Sequence, residues 1–249
     1  MTGDPWTGGL GRRDITNMNT PLYLGIDIGT SGVKAIVIDD GNAIAGETDA
    51  PLGISRPAPL HSEQDPADWW VAVERAVTGL DADLRARIAA IGVTGQMHGA
   101  VLLDGAGAVL RPAILWNDGR SHAECAELEA ALPELSAITG NRAMPGFTAP
   151  KLLWVRAHEP DMFARIAKVL LPKDWLRYRM SGAMVSDMSD AAGTLWLDVG
   201  KRDWSDEALA ACGLTRDHMP DLAEGSVVSA HLSADIAARW GLRAGIPIA

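Results

Sequence analysis

The stretch Leu24-Gly-Ile-Asp-Ile-Gly-Thr-Ser-Gly-Val-Lys34 decides how the rest of the 249-residue chain is read. Leu24, Ile26 and Ile28 alternate with Gly25 and Asp27, the period of a strand with one buried face. Gly29-Thr30-Ser31-Gly32 reads as a tight turn, and Val33 to Ile38 resumes the strand period, which makes a β-hairpin with a glycine-rich tip. Such a tip aims backbone N–H groups at one point with little side-chain bulk, so Gly29, Thr30 and Ser31 can receive a phosphate. Asp27 would repel that anion unless a divalent cation stood between them, and Mg²⁺ takes carboxylate, water and phosphate oxygens. Two readings of Asp27 therefore stand: metal–nucleotide chemistry, or a hairpin aspartate that accepts turn hydrogen bonds.

Beyond the hairpin, Asp39-Asp40-Gly41-Asn42 is a second turn and Ala43 to Thr48 a return strand, which predicts an antiparallel meander. Asp65-Pro66 supplies a helix cap with proline at the first turn. The helix is expected to run to about Thr78 with Trp69, Trp70, Val73 and Val77 facing inward. Ile88 to Thr94 is a short apolar run that fits a buried strand, and it ends in Gly95-Gln96-Met97-His98-Gly99. A hairpin over 100–110 and a strand over Ala113 to Trp116 follow, the latter ending in Asn117-Asp118-Gly119-Arg120. In layered α/β proteins ligands gather beyond strand ends, where irregular backbone meets solvent. Ser121 to Leu132 is expected to be helical. Residues 133–222 carry mostly helix signals broken by Pro145, Pro150, Pro160 and Pro172, the texture of an inserted subdomain. A capped helix from Ser233 to Trp240 leads to a final strand beginning at Gly245.

Composition narrows the partners. A formal net charge of −10 disfavours nucleic acid and anionic membranes. Two cysteines, Cys125 and Cys212, lie far apart without a Cys-x-x-Cys pair, so neither a disulfide scaffold nor a zinc site is expected and a cytoplasmic setting fits. No apolar run reaches the roughly 18 residues of a membrane helix. Residues 1–17 show no helix or strand period and read as a disordered leader, with Met18 a candidate start for a domain over 18–249.

Three clusters stand out: Asp27 with Gly29, Thr30 and Ser31; Gln96, Met97 and His98; and Trp116 with Asp118 and Arg120. Each has an ordinary structural reading. A lone histidine is commonly a structural hydrogen-bonder, a lone tryptophan is commonly core, and Asp118 and Arg120 can simply pair with each other. Their joint order, a phosphate turn followed by two polar strand ends, describes a cleft for a small polyol.

At this point the chain resembles the FGGY carbohydrate kinases of the actin and hexokinase superfamily, and within them the xylulose branch. The resemblance runs through Gly25 to Lys34, Ser62 to Pro66, Gly95 to Gly99, Ile114 to Arg120, Met144 to Lys151, Leu171 to Asp174 and Ser186 to Thr194. It implies an α/β, ribonuclease-H-like first lobe that binds sugar, closed by a second lobe that binds ATP. It also implies transfer of the γ-phosphoryl of Mg·ATP to the terminal hydroxyl of D-xylulose. By motif, Asp27 would act near Mg²⁺ and the transferring phosphate, and Gly29, Thr30 and Ser31 would line the phosphate turn. Gln96, Met97, His98 and Trp116 would touch the ketose, with Asp118 and Arg120 shaping the cleft. In the family the general base lies in a Gly-Asp-Asn segment that opens the second lobe. No such segment appears before Ala249, so this chain alone is expected to be inactive. A non-catalytic sugar-binding module, a kinase for another ketose or polyol, and a homodimeric assembly are left open.

Overall fold

In the computed structural model the described residues are 20–249, and the leader expected at 1–17 lies outside them. Strands β1 (Leu22–Ile28), β2 (Gly32–Asp39) and β3 (Ile44–Pro51) form the expected meander, with Ile26 opposite Ala35 and Lys34 opposite Asp49. Alternation decides which face is covered: Leu22, Leu24, Ile26 and Ile28 are buried, while Tyr23 and Asp27 point to the other side.

The strand Ile88–Gly95 pairs with β1 in parallel, and Pro247–Ile248 lies parallel to it in turn. Ala230–His231 closes that edge antiparallel, giving a six-stranded sheet in which the meander flanks one side of a parallel centre. A parallel neighbour requires a crossover. Helix α1 (Pro66–Gly79) lies within it, started by the Asp65 side chain accepting from the Ala67 amide. Its inward residues are those the spacing predicts, Trp69, Trp70, Val73 and Val77, all buried against β2 and β3. Trp69 meets Trp175 edge to face at 6.1 Å, and Trp70 lies 5.5 Å from Trp240. Each buried indole contributes on the order of 4–6 kcal/mol of gross hydrophobic stabilisation.

A second core gathers Ala149, Leu152, Leu153, Trp196, Trp204 and Leu209 from the helix-rich part of the chain. It also takes Ala100, Leu102, Ile114 and Leu128 from before residue 133. Conversely Trp175, Leu176 and Met180, inside 133–222, belong to the first core, because the helix Pro172–Ser181 packs beneath β1 and Ile88–Gly95. The strand expected over Ala113 to Trp116 stops at Ile114, where its pairing with Glu63–Gln64 ends, and Trp116 sits in a turn instead. Val101–Leu103 makes the expected contact with Val109 but takes Lys168–Leu170 as its main partner. No helix among the described residues is long and apolar enough to cross a membrane.

Candidate functional site

Because β1 and Ile88–Gly95 are parallel neighbours, their carboxyl ends emerge side by side, Ile28 opposite Gly95, and the Gln96 amide donates to the Ile28 carbonyl at 2.7 Å. The first two sequence clusters are thereby placed together by sheet register alone. The third joins them through side chains. Trp116 Nε1 donates to Thr30 Oγ1 at 2.9 Å, and Thr30 Oγ1 donates to Gln96 Oε1 at 3.1 Å. Gln96 Nε2 donates to Gln64 Oε1 at 2.8 Å, which also accepts from Trp69 Nε1 at 2.9 Å. Gln64 Nε2 returns to the turn, donating to the Thr30 carbonyl and to the Gly53 carbonyl, each at 2.8 Å. The chain of bonds fixes both amide orientations, since each oxygen must face a donor.

The hydroxyl of Thr30 thus serves the wall of the cleft, holding Trp116 and Gln96. Within the turn, the Gly29 amide is committed to the Gly32 carbonyl at 2.9 Å, whereas the Thr30 and Ser31 amides have no acceptor among the described residues. Ser31 is exposed, and its carbonyl accepts from the Leu52 amide at 3.0 Å. Asp27 lies on the open face of the sheet in a shallow groove with Gly25, Gly92, Thr94, Lys34 and Gly225. Lys34 is tied to Glu47 at 2.8 Å, which leaves the Asp27 carboxylate unpaired within this groove.

Around the polar wall stand exposed apolar groups, Met97 at 46% and Trp116 at 43%. His98 adopts the left-handed backbone, φ 63°, uncommon for a residue with a Cβ. Its Nδ1 lies 2.9 Å from the Gly193 carbonyl oxygen, and its ring meets Phe147 edge to face at 4.7 Å. A carbonyl only accepts, so Nδ1 carries the proton and Nε2 the lone pair. A Cβ on Gly193 would overlap the imidazole, so this position requires glycine for the approach itself. Burial and then the nearby Lys151 charge push His98 down to about 4, against the pull of its Gly193 bond. The ring is neutral at physiological pH.

Asp118 and Arg120 face inward, not toward the open cleft. Arg120 binds Asp118 at 2.7 Å and Glu63 at 2.7 Å, and its guanidinium lies 4.8 Å from the Trp154 ring centre. Asp118 also accepts from the Ser62 amide at 2.6 Å. Arg111 joins the same group through Glu63 and Glu159. The pair anchors the segment that carries Trp116 from behind.

Two members of this site escaped the reading of the sequence. Gln64 sat in a segment read for its Asp-Pro cap, and Lys151 lies in the helix Thr148–His158, which the mostly helical texture of 133–222 did not single out. Only the quoted motifs Ser62 to Pro66 and Met144 to Lys151 signalled either position. Cys125 and Cys212 are both free and buried. Among the described residues no group of three or more His, Cys, Asp or Glu could hold a metal by itself.

A five-strand run of three antiparallel and two parallel members, with a polar cleft at the carboxyl ends of β1 and Ile88–Gly95, is the α/β fold of the actin and hexokinase type. Residues 22–249 match the FGGY family of carbohydrate kinases, N-terminal domain, and the chain belongs to that family. It is 57% identical to "Xylulose kinase" of Escherichia coli over 229 residues, covering 91% of this chain and 47% of that protein. It is 56% identical to "Xylulose kinase" of Klebsiella pneumoniae, covering 89% and 46%. Among solved structures, a "xyloylose kinase" from Brucella ovis superposes with TM-score 0.88 at 54% identity, covering 92% of this chain and 48% of that one. The chain spans about half the length of the curated relatives it matches.

Proposed function

We propose that this chain supplies the sugar-binding half of a xylulose kinase, an enzyme that moves the γ-phosphoryl of ATP to the terminal hydroxyl of D-xylulose. The observation that carries the reading is the bonded chain Trp116–Thr30–Gln96, which joins all three clusters into one wall beside a neutral His98. Such a wall offers what a small ketose needs. His98 Nε2 accepts a hydrogen bond from a hydroxyl, the second N–H of Gln96 donates, and the Trp116 and Met97 faces cover C–H groups. A site built to hydrogen-bond hydroxyls rejects analogues that lack them.

On the nucleotide side, the free Thr30 and Ser31 amides suit a phosphate oxygen, and Asp27 suits Mg²⁺. One exposed carboxylate fits an ion that keeps several waters and takes its other ligands from phosphate. Bound there, Mg²⁺ would neutralise charge on the transferring group. Phosphoryl transfer depends chiefly on positioning and charge neutralisation, and the role of these residues is to hold the acceptor hydroxyl beside the phosphate turn. Its general base is expected in the part of the relatives that this chain does not span. Calorimetric titration with a panel of pentuloses, hexuloses and polyols tests the reading. Tightest binding of D-xylulose supports it, and preference for another ketose or a polyol removes the substrate assignment.

A further inference from the structure

We propose that Lys151 is a positioning residue of the sugar site: its buried amino group ties the backbone of His98 to that of Gly146, so that the imidazole offers a hydroxyl a lone pair and not a proton. The inference deepens the sugar-kinase reading and takes its ligand from it.

Lys151 lies on the helix Thr148–His158 and is fully buried, 0% exposed. Among the described residues it forms no ion pair; its Nζ donates to the His98 carbonyl at 2.7 Å and the Gly146 carbonyl at 2.9 Å. Burying an ammonium without a carboxylate is costly, and Met would fill similar volume without that cost. The two carbonyls explain what the charge does. One belongs to the left-handed His98, whose carbonyl also accepts from Thr148 Oγ1 at 3.2 Å. The other belongs to a residue packed so closely on Trp116 that a Cβ there would lie 2.6 Å from the Trp116 carbonyl oxygen. One amino group therefore holds together the backbone beneath His98 and the backbone beside Trp116.

The remaining restraints on His98 come from two motifs, Met144 to Lys151 and Ser186 to Thr194. Phe147 and Thr148 belong to the segment ending at Lys151, and Gly193 to the segment from Ser186 to Thr194. Together they fix the ring, its tautomer and its backbone. The charge of Lys151 also opposes a second positive charge on the imidazole. Burial pulls Lys151 itself down to about 7, with Asp118 favouring its ammonium and Arg120 opposing it, so its charge is complete only on the acid side of neutrality, where His98 would take up its proton.

Nitrogen-15 NMR of His98 in the 249-residue chain tests the proposal. In the wild type His98 keeps its Nδ1–H tautomer and takes up no proton between about pH 5 and about pH 8. In Lys151→Met its midpoint climbs toward the ordinary histidine value, and affinity for D-xylulose falls about tenfold or more. Identical His98 titrations in the two folded proteins would overturn the proposal. So would an Nε2–H tautomer or an ordinary midpoint in the wild type, which can be measured even if Lys151→Met does not fold. Because the His98 spectra need no sugar, expected spectra without ketose binding would support the Lys151 role while refuting the sugar reading.

Discussion

Trp116 Nε1 and Thr30 Oγ1 are 2.9 Å apart although 86 positions separate them in the chain, and this bond makes one wall of two loops. Thr30→Val keeps the shape and removes both hydroxyl bonds. Ketose affinity is expected to drop by about 1–2 kcal/mol, roughly 5- to 30-fold, measured by calorimetry. An unchanged affinity would assign Trp116 to the rim instead of the site.

His98→Asn isolates the pH dependence. Asparagine tolerates the left-handed backbone, so the fold survives. The His98 pKa is lowered to about 4 in the folded chain, so below the ordinary histidine value the unfolded chain binds the extra proton. Its contribution to stability is therefore full above about pH 6.5 and is lost as pH falls through about 4. Urea midpoints measured across that window should fall more steeply for the wild type than for His98→Asn, and parallel curves would contradict the assignment.

Gly193→Ala places a methyl against the imidazole. Overpacking of this kind costs about 1–3 kcal/mol. The expected result is a lower thermal midpoint together with weakened ketose binding, because the ring must move to make room. Loss of stability with binding intact would show that the ring position does not matter.

Arg120→Met tests the anchor behind Trp116. Asp118 would be left as a buried carboxylate without its cation, and Glu63 with Arg111 alone, a change worth about 3–5 kcal/mol. Denaturant unfolding should show a loss of that order, and a near-neutral result would mean that Arg111 compensates through Glu63.

Much of this was legible in the chain because it depends on short-range chemistry. Alternation in Leu24 to Ile28 gave the buried face, the Asp65-Pro66 cap gave the start of α1, and the order of the three clusters gave the cleft. What was not legible depends on side chains meeting across the fold. Gln64 satisfies four polar groups, two of them on the distant Thr30 and Gln96, and nothing in its neighbours announces that. Lys151 looks like an ordinary solvated helix residue until the second core closes over it. The division at residue 133 blurred for the same reason, since Trp175 and Ala100 each pack with the core on the other side of it.

The most direct measurement of the central claim is a nitrogen-15 and proton NMR titration of the chain with D-xylulose, followed at the Trp116 indole N–H, the Gln96 side-chain amide and the His98 ring. Saturable shifts are expected at all three with one common dissociation constant. Saturable shifts elsewhere, or none at these groups at high sugar concentration, would contradict it.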